Sequence, residues 1–373
     1  MDQIHLISLI FIFIFLIQAY FYFKYFFPFA FKKNKTSLGN QNKEAVSVII
    51  CAHNELKNLK QNLHLFLNQE YEGYEVVVIN DRSNDGSKEW LGKQEKFNPH
   101  LKTIHISKTQ DDYNPKKYAL TKGIAAAKND IILLSDADCQ PVSSRWVDRM
   151  SQSFNKSISI VLGVSLYKKE KGFLNQFIRF ETVQTALLYL SFAFKKEAYM
   201  GVGRNLAYRK SFFVANGGFK DLSSIMGGDD DLWVNRHAKK ENTAICTHHE
   251  SLTFSIPKRK WSSFFIQKKR HLSVGKYYKF KDKIKLGLFH SSQSLLWILF
   301  ILGLMLGSPT DCLILSFFIL MHIVGQYVVF YKLSINFGIK FTHYKLPVLE
   351  ILFIFYYWIW GFYASLTKHL KWK

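Results

Sequence analysis

Apolar residues follow three different rhythms along this chain. Residues 4–31 are apolar at nearly every position, with Lys24 the single basic residue. That run is longer than the apolar core of a signal peptide, has no small-residue cleavage site after it, and is long enough to span a bilayer as an uncleaved anchor. Between 45 and 285, short apolar runs alternate with stretches of helical spacing. Residues 46–50 predict a strand, and 56–69, with Leu59, Leu63, Phe66 and Leu67, predict a helix. Residues 75–79 and 102–106 predict further strands, 116–128 an Ala-rich helix, 131–134 a buried strand and 157–167 another. Strands alternating with helices imply an α/β domain built on a mostly parallel sheet. From 286 onward the pattern becomes apolar again, with further candidate spans at 288–306, 312–331 and 346–366. The expected organisation is therefore an anchor at 1–31, a linker at 32–44, an α/β domain at 45–285 and a C-terminal membrane region at 286–373 with two or three spans. Residues 172–194 fit none of these classes, because Asn175, Gln176, Arg179, Glu181 and Gln184 interrupt the apolar run. An interfacial helix and a core helix both remain open there.

Charge refines this layout. The 373 residues carry a formal net charge of +22 together with 34 phenylalanines. Apolar runs at both ends set aside a nucleic-acid binder in favour of a membrane protein with a basic face toward anionic lipid. Lys32, Lys33 and Lys35 follow the first run, which places the α/β domain in the cytoplasm by the positive-inside rule. Residues 307–311 lack lysine and arginine and belong outside, whereas Lys332, Lys340 and Lys345 mark an inner loop. Four spans would then leave Lys368, Lys371 and Lys373 outside, against the rule. Either the last segment, which contains Glu350, is re-entrant or interfacial, or the tail is an exception. The four cysteines are scattered, without the spacing of a zinc site or a disulfide framework, and are expected to be packing residues.

Candidate chemistry gathers at the predicted strand ends. The run 131–134 leads into Ser135-Asp136-Ala137-Asp138, and ligands of open α/β sheets bind beyond such carboxyl ends. Two carboxylates at i and i+2 can share a hard divalent cation such as Mg²⁺ or Mn²⁺, although a solvated acidic turn has the same pattern. Asp229-Asp230-Asp231 is a second acidic cluster. Adjacent acids repel, which raises at least one pKa and favours proton acceptance, and acids also suit the first turn of a helix. Asp85-Gly86 reads as a plain turn.

Five motifs, in order, resemble the inverting family 2 glycosyltransferases with a GT-A fold. The nearest likeness is to membrane-bound members such as cellulose, chitin and hyaluronan synthases and ceramide glucosyltransferases. The resemblance covers about 46–278 and implies transfer of a sugar from a nucleotide diphosphate donor to an acceptor hydroxyl. It implies donor contacts from the opening strand and its end, including His53, which would stack on the base, and Glu55. A locally bonded loop histidine is the other reading of His53. Asp81 would accept from the base or ribose, and Lys116, or else Lys117, would bind the donor. Asp138 would hold the metal, with Asp136 on the ribose or the metal. Asp230 would be the general base, with Asp229 second. Gln267 and Arg270 match a Gln-x-x-Arg motif whose arginine suits a diphosphate. His271 stands where the family carries tryptophan, a departure that argues against processive transfer. Gly203, Asn205, Asp231 and His271 fall on the acceptor side. The implied partners are a UDP-sugar, a lipid or glycan acceptor and membrane lipid.

Overall fold

The computed structural model describes residues 3–32, 44–110 and 113–366. Most of the expected linker, with Lys33 and Lys35, and the tail lysines Lys368, Lys371 and Lys373 lie outside the described residues. The chain divides into two compact units, one formed by 34–274 and one by the N-terminal segment together with 275–367.

The first unit is built on a seven-stranded sheet in the order β3-β2-β1-β4-β8-β6-β9, with a small second sheet in the order β5-β10-β7. In chain order these strands are β1 (Val46–Ala52), β2 (Tyr74–Asp81), β3 (Leu101–Ile106), β4 (Ile131–Asp136), β5 (Cys139–Pro141), β6 (Ile160–Leu162), β7 (Ser165–Tyr167), β8 (Leu206–Arg209), β9 (Thr243–Ile245) and β10 (Thr253–Ser255). β1 to β4 are mutually parallel where they pair, and β8 runs antiparallel to β4 and β6. Every residue of β2 is buried, as are six of the seven in β1. This two-sided burial is why both strands read as near-continuous apolar runs instead of alternating ones. The chain passes from β1 outward to β2 and β3 and then returns to the other side of β1 as β4. The topological switch point therefore lies between β1 and β4, where Cys51 pairs with Asp136.

The expected single strand over 157–167 is two strands in different sheets. The break falls at Gly163, where the buried Asn205 side chain crosses. A Cβ on Gly163 would lie 2.5 Å from Asn205 Cγ. Asn205 donates through Nδ2 to the carbonyls of Val164 and Ser251, each at 2.8 Å, and accepts from Trp146 Nε1 at 3.1 Å. It ties the two sheets together and has no exposed surface. That corrects its assignment to the acceptor side, since its polar atoms are already engaged inside the protein.

The helix Phe173–Phe194 is a core element. Seventeen of its 22 residues are buried, and the Tyr189 hydroxyl donates to the Gly163 carbonyl at 2.7 Å. Its polar residues, which interrupt the apolar pattern, have internal partners: Glu181 pairs with Lys268 at 2.5 Å on the helix Trp261–Ser273. The core-helix alternative holds.

Among the described residues, the second unit contains four helical segments long and apolar enough to cross a membrane, at 6–30, 280–306, 309–336 and 343–364. The first widens by a π turn at Tyr22–Phe26, just ahead of Pro28, whose missing N–H frees the carbonyl one turn earlier. The second begins at Phe280, earlier than the hydropathy change at 286, because its first turns carry Lys281, Asp282, Lys283 and Lys285. Glu350 has no exposed surface; it accepts from Gln293 Nε2 at 2.6 Å and Trp297 Nε1 at 3.1 Å, and lies 3.0 Å from His322 Nε2. These partners, from two other helices of the unit, satisfy an acid that an apolar environment would otherwise exclude.

Placing a methyl group at position 163 forces Asn205 out of its bonds. Gly163→Ala should therefore destabilise the first unit by about 1–3 kcal/mol, an overpacking cost, measured as a lowered thermal unfolding midpoint.

Candidate active site

The site is built where β1, β2 and β4 end. Asn54 and Arg82 both take positive φ, at 55° and 52°, so the chain turns sharply as it leaves β1 and β2. Hydrogen bonds stitch the two loops together: Asn54 N–H donates to Ser83 Oγ, Asn84 N–H to Asn54 Oδ1 and Leu56 N–H to Asp85 Oδ2. Asp85 thus does more than shape a turn, because it anchors the start of the helix Leu56–Leu67. Burial alone would raise its pKa, but the Ser87 hydroxyl and the Leu56 and Ser87 amides hold it below the usual carboxylate range.

His53 Nδ1 lies 2.5 Å from the Asp81 carbonyl, which fixes the ring at the junction of the two strands. Glu55 accepts from Asn58 Nδ2 at 2.5 Å. The Asp81 carboxylate is buried and forked by its own neighbour, with Arg82 Nε at 2.8 Å and the second guanidinium nitrogen at 2.9 Å. Arg82 was not singled out from the sequence. Each carboxylate oxygen keeps a further lone pair for a ligand donor.

Two adjacent lysines divide two tasks. The helix Pro115–Ala126 opens with an Asn114 cap and presents Lys116 and Lys117 in its first turn. Cations are disfavoured at a helix N-terminus by the macrodipole, so both need compensation from outside the helix. Lys117 is fully buried and donates to the carbonyls of Ile225, at 2.5 Å, and Gly227. Lys116 instead reaches Asp136 Oδ1 at 3.3 Å and Asp229 Oδ2 at 3.0 Å. Lys116 is therefore the lysine that faces the acids, and Lys117 holds the turn that delivers them. Burial acts to lower the Lys116 pKa, but Asp136, Asp229 and Asp230 keep it well above the usual lysine value.

The turn before the acids uses Gly227 and Gly228, both at φ 78°, a backbone that glycine adopts without strain. A Cβ on Gly228 would also meet the Leu232 side chain at 2.6 Å. Asp230 caps the helix Asp231–His237; its Oδ1 accepts from Asp231 N–H at 2.8 Å and its Oδ2 from Gly203 N–H at 2.7 Å. The Gly203 amide therefore touches the acid cluster directly. Asp231 turns inward, where it is buried and accepts from Leu232 N–H.

The three acids differ electrostatically. Burial would raise the Asp229 pKa, yet Lys116 and Lys117 hold it below the usual range. For Asp230, burial and the Asp229 charge prevail over Lys116 and the two amides, and its pKa is raised. One ionised carboxylate thus sits beside one with heightened proton affinity.

Asp136 ends β4 and Asp138 follows one residue later. Asp138 is pushed up by burial and by the charge of Asp136, with Arg204 and Lys258 acting in the opposite sense. Such mutual repulsion is what a divalent cation would relieve. Among the described residues no group of three or more His, Cys, Asp or Glu side chains is placed to hold a metal ion. The pair fits Mg²⁺ or Mn²⁺ of the kind that takes one or two carboxylates and completes its shell with phosphate oxygens and water.

The helix Trp261–Ser273 brings in the last motif. Gln267 Nε2 donates to the Tyr167 hydroxyl at 3.3 Å, and the Arg270 carbonyl lies 4.0 Å from where a Gly227 Cβ would sit. His271 is exposed on the final turn of this helix. Arg204, between Gly203 and Asn205, is a further candidate outside the individual motif residues. The available signal was its position, a lone arginine in a glycine-rich loop.

Comparison with known proteins decides the family. Residues 47–215 match glycosyl transferase family 2. This chain carries a family 2 glycosyltransferase domain. The domain is 26% identical over 194 residues to the "Probable glycosyltransferase YdaM" of Bacillus subtilis, covering 51% of this chain and 46% of that protein. It is 32% identical over 106 residues to glycosyltransferase AglE of Haloferax volcanii, covering 28% and 33% respectively. These matches thus span less than half the length of the curated relatives. The solved mannosyltransferase PcManGT from Pyrobaculum calidifontis, in complex with GDP-Man and Mn²⁺, superposes with a TM-score of 0.65 at 15% identity, over 98% of this chain and 99% of that one. That likeness shows the GT-A fold of the family 2 domain.

Removing the Lys116 charge should lift the neighbouring acids. In Lys116→Met the Asp229 and Asp230 carboxyls should both titrate at higher pH than in the wild type, because the cation that favours their ionised forms is gone, read by difference infrared spectroscopy of the carboxyl bands.

Proposed function

We propose that this protein is a membrane glycosyltransferase that moves one sugar from a nucleotide diphosphate donor to a hydroxyl of a lipid-linked or membrane-proximal acceptor, with inversion. The observation that carries the reading is the Lys116 ammonium held between Asp136, in the donor motif, and Asp229, in the base cluster. The two carboxylate sets that a displacement at an anomeric carbon needs thus flank one side chain.

Asp230 is the general base. Its raised proton affinity suits a group that must take a proton from a weakly acidic alcohol. The Gly203 and Asp231 amides fix its orientation. As Asp230 takes the hydroxyl proton, the acceptor oxygen bonds to the anomeric carbon from the face opposite the leaving group. The bond to the diphosphate oxygen breaks, and its electron pair leaves with the nucleoside diphosphate. Asp229 stays ionised and keeps Lys116 in place.

Asp138 and Asp136 would hold a Mg²⁺ or Mn²⁺ ion, which when bound neutralises negative charge on the diphosphate. Lys116 and Arg270 would add donors to the same phosphates, and His53, Glu55 and Asp81 would line the nucleoside end. The sequence favours a uridine donor, and the GDP-Man of the structural neighbour makes a guanosine donor the second candidate. The four apolar helices and the lysines flanking them support an integral membrane protein with its catalytic domain toward the cytoplasm. An exposed histidine at position 271, in place of an acceptor-stacking tryptophan, favours single transfer over a processive polysaccharide synthase.

Purified protein in lipid, supplied with Mn²⁺ or Mg²⁺ and native membrane extract as acceptor source, should release nucleotide from one member of a UDP- and GDP-sugar panel. Asp230→Asn should lower kcat by about 10²–10⁴-fold, as removal of a general base does, while donor binding persists. Wild-type activity should decline on the acid side of the pH profile, because protonated Asp230 cannot accept the hydroxyl proton. Absence of both binding and turnover across the whole panel would sink the enzymatic reading.

A further inference from the structure

Arg204 is a strongly charged side chain close to Asp136 and Asp138 with no part in the transfer step itself. Its backbone is fixed at the edge of the site: the carbonyl accepts from Ser135 Oγ and from Thr253 Oγ1, each at 3.2 Å. Ser135 immediately precedes Asp136, and Gly203, the residue before Arg204, donates its amide to Asp230. The position therefore links the metal motif to the base.

The side chain is held as firmly. Its guanidinium lies over the Tyr167 ring, 4.6 Å from the centroid, and one terminal nitrogen donates to Ser255 Oγ at 3.0 Å. Tyr167 is fixed in turn by Gln267, and Ser255 by Cys139 Sγ at 3.1 Å. A guanidinium has five N–H donors. Among the described residues, the bond to Ser255 is the hydrogen bond its side chain makes. It feels the charges of Asp136 and Asp138 without closing an ion pair on either carboxylate within the described residues. A largely buried, pre-oriented cation with unused donors next to two carboxylates suits a ligand that brings several anionic oxygens of its own.

We propose that Arg204 is a phosphate-binding residue that takes oxygens of a phosphate group between the Asp136/Asp138 pair and the base cluster. This rests on the transferase reading. Two sources of phosphate have the right chemistry there, the diphosphate of the donor and a phosphate on a lipid acceptor. The donor diphosphate is the one the position favours, because Ser135 anchors the loop to the strand that ends in the metal motif. In that role the guanidinium donates to the oxygen that receives the electron pair as the sugar–phosphate bond breaks.

The test compares wild type, Arg204→Ala and Arg204→Lys as full-length protein in lipid nanodiscs. Calorimetry would follow binding of UDP and GDP, of uridine and guanosine, and of a long-chain polyprenyl phosphate. Arg204→Ala should weaken binding of the preferred nucleoside diphosphate about tenfold or more, as loss of charge-assisted hydrogen bonds does. The matching nucleoside should bind as it does to wild type. Arg204→Lys, which keeps a cation over Tyr167 but loses the planar fork, should fall between the two. It also carries the test if the alanine variant unfolds. A loss confined to polyprenyl phosphate supports the phosphate role and assigns it to the acceptor. Equal affinities for every phosphate ligand in wild type and the folded variants would overturn the assignment. If wild type binds neither UDP nor GDP, the transferase reading fails and the arginine assignment with it. That outcome is recognisable because it appears before any substitution is made.

Discussion

A single ammonium group holds the chemistry of this domain together. Asp136 comes from the end of a central strand and Asp229 from a glycine turn nearly a hundred positions later, and Lys116 touches both. Without a cation between them, these buried carboxylates would repel one another and the two segments would be driven apart. With it, Asp229 is held ionised while Asp230, one residue on, becomes the more basic of the two. One charge thus fixes both the geometry and the division of labour. It stands at the N-terminal end of a helix, where the helix itself opposes it, so the acids must supply the stabilisation.

The neighbouring lysine shows how closely structure and chemistry are joined here. Lys117 points about a quarter-turn away and meets backbone carbonyls of residues 225 and 227, so it acts on the same turn from inside. Asn205 plays a comparable part on the other side of the site. By bridging the two sheets it fixes the loop from which the Gly203 amide reaches Asp230. The active groups are therefore few, and the residues that position them are buried polar side chains whose bonds are internal.

The membrane-type unit follows the same rule in a different solvent. An acid inside an apolar helix is stable only where other helices supply donors. Glu350 finds them in Gln293, Trp297 and His322, so three helices of that unit are joined through one carboxylate. Ser8 and Asp311 tie the N-terminal helix to the same group through a 2.7 Å bond. Polar residues that look out of place in a hydropathy profile are here the specific contacts between helices.

The sequence by itself determined the architecture and the inventory of reactive groups. Parallel strands buried on both faces must be apolar throughout, so β1, β2 and β4 and the acids at their ends were legible, as were four apolar runs of bilayer length. What it did not determine was partnership. Lys116 and Lys117 are indistinguishable as letters, and only the helix rotation separates an active-site cation from a buried strut. Asn205, expected on the acceptor side, is an internal knot, because three strands of only three or four residues, too short to show any alternation, meet around it. Arg82 carried no pattern, and Arg204 had only its place in a glycine-rich loop to mark it. Periodicity records which face of an element is buried, whereas hydrogen bonds and ion pairs between residues far apart in the chain exist only once the fold has closed. For that reason the tertiary structure alone decided which acid is ionised, which is basic and which cations stand near them.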